Sequence, residues 1–127
     1  MASQKGFAVI ETLIATAVIG LIAVGVLMSL ATSAKSTIVS DSQTTAESLA
    51  RAQIEYILQQ PYDTDNYTPA YSLLSNIPSG YSINAIATNL DPRGDGSDNN
   101  DGLQKIIVSV KLKGEVLVRL EDYKVYR

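Results

Sequence analysis

The sequence from Phe7 to Ala31, FAVIETLIATAVIGLIAVGVLMSLA, is apolar almost throughout and contains one ionisable side chain, that of Glu11. From Thr12 onward about 20 residues are uncharged, and a helix of that length spans roughly 30 Å, the thickness of the hydrocarbon core of a bilayer. The small-residue cleavage site of a secretory signal does not follow this segment. We therefore expect a retained membrane-spanning helix, which leaves residues 32–127 for a small folded domain.

Composition excludes several classes of function. Ten basic and 13 acidic residues give a formal net charge of −3, and no basic patch predicts nucleic-acid binding. The chain lacks both cysteine and histidine, so disulfides, thiolate metal sites and the commonest general base are ruled out. The chain is therefore not expected to be an enzyme.

A second helical pattern follows the apolar segment in SQTTAESLARAQIEYILQQP. An apolar stripe recurs at three- and four-residue spacing, formed by Ala46, Leu49, Ala50, Gln53, Ile54, Ile57 and Leu58. Glu47, Arg51 and Glu55 lie on the opposite face, where Glu47 and Arg51 have the spacing of a surface ion pair. Pro61 is expected to end the helix, and the Ser/Thr-rich sequence SAKSTIVSDSQTT is expected to loosen it.

Alternating apolar residues predict three strands after Pro61. One strand is YSINAIATN, with Tyr81, Ile83, Ala85 and Ala87 on one face. The segment KIIVSVKLKGEVLVRLEDYKVY predicts a hairpin with a tight turn at Gly114 and an inner face formed by Ile106, Val108, Val110, Leu112, Val116, Val118 and Leu120. The predicted fold is α+β: a long N-terminal α-helix, hydrophobic in its first half and amphipathic in its second, packed on a small C-terminal antiparallel sheet of about three strands.

Glu11 is the unusual residue of the apolar segment, because a carboxylate near the bilayer centre costs roughly 2.5–3.5 kcal/mol. The surrounding sequence, KGFAVIETLIATAVIG, resembles the start of type IV prepilins and of the pseudopilins of type II secretion systems. The matching positions are Lys5, Gly6, Phe7 and Glu11, with FAVIE in place of the family's usual FTLIE. A glutamate that reaches the membrane interface is the alternative interpretation.

The resemblance implies a processed filament subunit. Prepilin peptidase would cut between Gly6 and Phe7 and methylate the amine of Phe7, Lys5 would supply the leader's positive charge, and Glu11 would pair with that amine on a neighbouring subunit. The chain then divides into a leader (1–6), a transmembrane and assembly helix (7–31), an amphipathic helix (32–60) and a globular part (61–127). The expected partners are the peptidase, other pilin subunits and the membrane.

The resemblance also implies a location. The precursor would cross the bacterial cytoplasmic membrane once, with its C-terminus outside, and the mature filament would be periplasmic or extracellular. No cofactor is required for such a structural role. The alternative is a membrane-anchored calcium- or surface-binding module that does not polymerise, and the sequence leaves open whether the subunit is major or minor and which machine it serves.

The polar loop NLDPRGDGSDNNDG is the candidate metal site. Its tentative ligands for Ca²⁺ are Asp91, Asp95, Asp98, Asn99 and Asp101, because clustered carboxylate and amide oxygens suit this hard cation. The loop does not fit the spacing of an EF-hand. A solvated loop between two strands explains the same composition, so both interpretations stand at this stage.

Tyrosines are concentrated around the connection that follows the helix, at Tyr62, Tyr67, Tyr71 and Tyr81. Aromatic rings with polar tips are common in binding surfaces. They also pack loops onto helices and sheets, which is the more frequent role. The sequence therefore predicts packing first and a binding patch second.

Overall fold

The structure, a computed structural model, describes residues 2–65, 69–96 and 101–127, and the backbone alone at residues 2, 3 and 5. Its elements are the helix α1 (Ala2–Gln59) and the strands β1 (Tyr81–Asn89), β2 (Leu103–Leu112) and β3 (Glu115–Val125). The predicted α+β class is confirmed. The chain divides into two compact units, residues 1–40 and 41–127.

The described residues of the first unit, 2–40, are all helical. Helix also continues through the Ser/Thr-rich segment without a break, and the expected loosening there stays a prediction. One reason for this continuity is that these side chains can bond within the helix instead of competing with it, as Thr37 does when its hydroxyl donates to the carbonyl of Ser33 at 3.0 Å. The segment contains no proline or glycine, which are the residues that break helices most strongly.

The second unit contains the end of α1 and a three-stranded antiparallel sheet of order β1-β2-β3. Ile83 of β1 lies opposite Val110 of β2, and Val110 lies opposite Val118 of β3. Lys113 and Gly114 form the two-residue turn between β2 and β3, with φ of 50° and 92°. Positive φ at both central positions is the geometry that a twisted hairpin requires, and it explains the predicted glycine.

The core lies between the inner face of the sheet and the stripe of α1. Among the buried residues, the helix contributes Ala46, Ala50, Ile54 and Ile57, and the sheet contributes Ile83, Ile106, Val108, Val110 and Val118. The predicted packing of the stripe is therefore confirmed for these residues and for Gln53, which is fully buried. Leu58 is the exception, since it remains 42% exposed at the margin of the stripe.

A β-bulge corrects the predicted inner face of β3. The register shifts between Val110 and Lys111, so that Val118 lies opposite Val110 while Val116 lies opposite Lys111. The extra residue, Leu117, changes the phase of the alternation. Val116 consequently lies on the outer face and is 56% exposed, contrary to the prediction.

Helix α1 ends one residue before Gln60, as Pro61 predicts. The N–H of Gln60 donates to the carbonyl of Ile57 at 3.2 Å, which tightens the last turn.

The ion pairs among the described residues are Lys105 with Glu121 and, at a longer distance, Arg119 with Glu121. The surface ion pair expected between Glu47 and Arg51 in α1 does not form.

Candidate processing and assembly site

Gly6, Phe7 and Glu11 lie in the first turns of α1, with Phe7 and Glu11 four residues apart and therefore on one face. Phe7 is 75% exposed and Glu11 is also exposed. Within the described part of the chain no cation pairs with the Glu11 carboxylate. The side chain of Lys5 lies outside the described residues, so its predicted role stays a prediction.

The apolar side chains that follow are uncovered. All large apolar side chains from Phe7 to Leu30 are between 48% and 75% exposed. Helix α1 is long and apolar enough in this part to cross a membrane. An apolar surface this extensive needs lipid or another protein chain to cover it.

The hydroxyl groups of this segment are satisfied inside the helix. Thr12 donates to the carbonyl of Ala8 at 2.8 Å and Thr16 donates to the carbonyl of Thr12 at 2.7 Å. Farther along, Ser29 bonds to Gly25 and Thr32 to Met28 in the same way. These residues therefore bring no unpaired polar group into an apolar environment, and Glu11 is the side chain whose charge needs compensation.

The candidate calcium loop is described only in part, because Asp98 and Asn99 lie outside the described residues. Asp91 holds the loop's own backbone: its carboxylate accepts hydrogen bonds from the N–H groups of Gly94 at 2.7 Å and Gly96 at 3.0 Å. Asp95 is exposed and Asp101 is half-buried. Among the described residues no three acidic side chains come together as a metal site would require, and calcium stays a prediction.

Lys124 was not predicted to have a role, and it is buried with 4% of its surface exposed. Its Nζ donates hydrogen bonds to the carbonyl of Ile57 and, at 2.6 Å, to the carbonyl of Gln60. It also lies 4.5 Å from the centroid of the Tyr71 ring. Burial lowers the pKa of Lys124 below its ordinary value. A strand residue thus supplies the positive charge that caps the C-terminus of α1.

Gln104 is the centre of a buried polar network beside Lys124, and none of its surface is exposed. Its Nε2 donates to the carbonyl of Asp63 at 2.8 Å and to Oδ1 of Asn89 at 2.9 Å. Its Oε1 accepts a hydrogen bond from the Tyr71 hydroxyl. Burial is the main cause that raises the pKa of Tyr71. The network joins the connection after α1 to the ends of β1 and β2.

Two further glutamines, one in α1 and one directly after its end, bond to the same connection. Gln53 accepts a hydrogen bond from the N–H of Leu74 at 2.8 Å and donates to the carbonyl of Ser72 at 3.1 Å. Gln60 bonds to both backbone groups of Ser72, at 2.8 and 2.9 Å. These side-chain amides bond to the backbone N–H and carbonyl groups of the connection, as a neighbouring strand would. They hold this long segment without regular structure in place.

The tyrosines that the structure describes pack against other parts of the chain, which is the first of the two predicted roles. Tyr71 belongs to the network, and the hydroxyl of Tyr81 contacts the carbonyl of Ser42 at 3.4 Å. The ring of Tyr62 meets that of Tyr126 edge to face, with centroids 5.2 Å apart. Tyr67 lies outside the described residues.

A cleft of about 470 Å³ lies beside the end of α1. Its lining combines apolar and aromatic side chains with amide and basic groups, at Leu58, Gln60, Pro61, Tyr62, Tyr123, Lys124, Val125 and Arg127. The amine of Lys124 is directed at backbone carbonyls and at the Tyr71 ring. These lining residues do not form the nucleophile–base pair that hydrolysis would need.

No protein-family model, curated protein or solved structure matches this chain.

Proposed function

We propose that this chain is a structural subunit, major or minor, of a type IV pilus-like or pseudopilus filament. One observation carries the proposal: the sequence KGFAVIE stands near the start of α1, where the large apolar side chains from Phe7 to Leu30 are all exposed and Glu11 is the one carboxylate between Phe7 and Ala31. In this proposal prepilin peptidase cuts between Gly6 and Phe7 in the bacterial cytoplasmic membrane. The folded second unit then lies outside that membrane.

Cleavage supplies the charge that Glu11 lacks. In the uncut chain the nitrogen of Phe7 belongs to a peptide bond and is neutral. A freed amine, methylated or not, is protonated at neutral pH. Because Phe7 and Glu11 lie one turn apart, the amine can pair with Glu11 of its own chain while it is a monomer, or with Glu11 of a neighbour in a filament. Pairing between chains fixes the axial register of packed helices.

Polymerisation would also cover the exposed apolar surface. In the membrane, lipid contacts the side chains from Phe7 to Leu30, so burial against another helix adds little hydrophobic free energy. Close packing and the Glu11–amine pair supply the preference for protein neighbours there. Outside the membrane, the same surface can be covered only by other copies, which makes the filament the stable form.

The mature N-terminus tests this proposal. Mass spectrometry of the chain from its native membrane is expected to find N-methylphenylalanine at residue 7. An intact leader would contradict the proposal and favour a membrane-anchored module that does not polymerise. Gly6→Leu is the matched variant, because a Cβ at Gly6 meets no atom within 4 Å and leucine favours a helix. This variant is expected to stay uncut while it folds normally.

A further inference from the structure

Strand β3 is an edge strand, and half of its backbone groups face away from the sheet. Leu103 lies opposite Val125, and one step farther along the pair the N–H of Tyr126 donates to the carbonyl of Gly102 at 2.8 Å. Bonded positions alternate along an antiparallel pair, so the even-numbered residues of β3 from Leu120 onward bond to β2. The odd-numbered residues direct their N–H and C=O groups to the free edge; they are Glu121, Tyr123 and Val125.

An apolar cleft lies beside this free edge. It has a volume of about 310 Å³ and is lined by residues of both α1 and β3, among them Leu58 and Leu120. An extended chain that paired with β3 would form backbone hydrogen bonds and would also cover such apolar side chains. Free edges of this kind are the places where sheets of separate molecules join.

Asp122 interrupts the free edge in the middle of its open part. The residue lies opposite Ile106, is half-buried and lines the cleft. Its Oδ1 accepts a hydrogen bond from the N–H of Tyr123 at 2.7 Å. Because this N–H faces the free edge, the carboxylate occupies the position that a carbonyl group of an added strand would need.

We infer that Asp122 protects the edge of β3 from pairing with an extended strand, and in particular with β3 of a second copy of this chain. An added strand has to displace the carboxylate from the N–H of Tyr123, and the half-buried carboxylate then loses a hydrogen bond. An inward-pointing charge on an edge strand is a known means of preventing such pairing. The inference does not depend on filament formation, since it concerns the second unit wherever copies of the chain are crowded.

Amide hydrogen exchange tests whether the N–H of Tyr123 is occupied. The N–H of Glu121 is the internal control, because it faces the same free edge without a neighbouring carboxylate bonded to it. In the full chain in detergent micelles, NMR is expected to show that the Tyr123 N–H exchanges about ten-fold more slowly than that of Glu121, relative to their intrinsic rates. Asp122→Ala should bring the two rates together, and its spectrum also shows whether the variant folds. Equal rates in the wild type overturn the inference.

Cross-linking tests what the carboxylate prevents, because the chain has no cysteine of its own. Tyr123→Cys places a thiol where the tyrosine side chain is 53% exposed, and it keeps the backbone N–H. A short bismaleimide should cross-link few copies of this variant in micelles. Adding Asp122→Ala is expected to raise the yield of dimers about ten-fold. Asp122→Asn keeps an oxygen that can accept the hydrogen bond, so its yield should stay near that of the parent variant.

A cysteine at the other edge of the sheet is the control for unspecific association. Ile86→Cys lies on β1, where the isoleucine is 52% exposed, and Asp122→Ala should not raise its dimer yield. Three results overturn the inference: an unchanged yield at position 123, an equal rise at positions 123 and 86, and an equal rise with Asp122→Asn and Asp122→Ala. The last result would assign the protection to charge instead of the hydrogen bond.

Discussion

The amine of Lys124, on strand β3, donates a hydrogen bond to the carbonyl of Ile57 in the last turn of α1. The same amine reaches Gln60, so one side chain satisfies two carbonyls where helical bonding stops. Burying a cation is costly, and the lowered pKa of Lys124 reflects that cost. The carbonyls and the Tyr71 ring offset it.

Replacement of this lysine should destabilise the second unit. Lys124→Met retains most of the buried stem but removes the donor to the carbonyl of Gln60 and leaves the carbonyl of Ile57 with the N–H of Gln60 alone, at a cost of about 1–3 kcal/mol in the free energy of unfolding. Urea unfolding in detergent can be followed by tyrosine fluorescence, since all seven tyrosines lie in the second unit. Lys111→Met on the outer face is the control. Equal unfolding midpoints for the two variants would refute the capping role.

The hydrogen bond between Tyr71 and Gln104 should appear as coupling in a double-mutant cycle. Tyr71→Phe leaves Oε1 of Gln104 without its donor. Gln104→Leu leaves the Tyr71 hydroxyl without its acceptor, although this hydroxyl still accepts a hydrogen bond from the N–H of Asp63 at 3.2 Å. Each variant is expected to cost about 1–3 kcal/mol. The double variant should cost less than the sum by about 0.5–3 kcal/mol, because both partners of the lost hydrogen bond are absent together. Strict additivity in urea unfolding would show that the two side chains do not cooperate.

Asp63 gives the second unit an acid-sensitive contribution to stability. Its carboxylate accepts hydrogen bonds from the N–H groups of Ala70 at 2.8 Å and Asp65 at 3.0 Å, which lower its pKa below the ordinary 3.8. As pH falls, the unfolded chain takes up this proton first. The stabilisation is therefore complete above about pH 4 and is lost as pH falls through the folded pKa.

Thermal unfolding at about pH 6 and about pH 3 checks this dependence. We expect the wild type to lose more of its melting temperature on acidification than Asp63→Asn, which has no carboxylate to protonate. Glu47→Gln, at an exposed position on α1, should behave as the wild type. A similar acid sensitivity in Asp63→Asn and the wild type would mean that other carboxylates are responsible.

Glu11 should matter for assembly and not for processing. Glu11→Ala removes the expected partner of the Phe7 amine, so cleavage after Gly6 should persist while filament yield falls at least about ten-fold. Mass spectrometry reports the first result and electron microscopy the second. Normal filaments from this variant would remove the register role from Glu11.

Calcium binding is the remaining prediction about the acidic loop. If the loop binds Ca²⁺, millimolar calcium should raise the melting temperature of the second unit, because a ligand that binds only the folded state stabilises it. Asp95→Asn/Asp101→Asn should abolish the shift. Magnesium is the control, since it prefers a smaller and more rigid site. An unchanged melting temperature with calcium would identify the loop as solvated.

The sequence predicted the elements well because each had a clear period or a clear interruption. Pro61 marked the end of α1, and Gly114 marked the turn of the hairpin. It misplaced Val116 because a β-bulge leaves no signature in simple alternation. The Ser/Thr-rich segment does not interrupt α1, and its hydroxyls can bond within the helix, as that of Thr37 does.

The polar network was missed because its members resemble surface residues in sequence. Gln104 and Lys124 do stand in phase with inward-facing positions, two residues from Ile106 and Asp122 respectively. That phase was the available signal. A buried lysine is rare, and here the carbonyls of Ile57 and Gln60 together with the Tyr71 ring explain it.

The distance along the chain between Lys124 and Ile57, 67 residues, also sets an order of events. All of α1 is synthesised well before the residue that caps it. The cap on the last turn of α1 can therefore form only after β3 has been made and has paired in the sheet. The contact at Lys124 is accordingly one of the last that the second unit can form as the chain emerges.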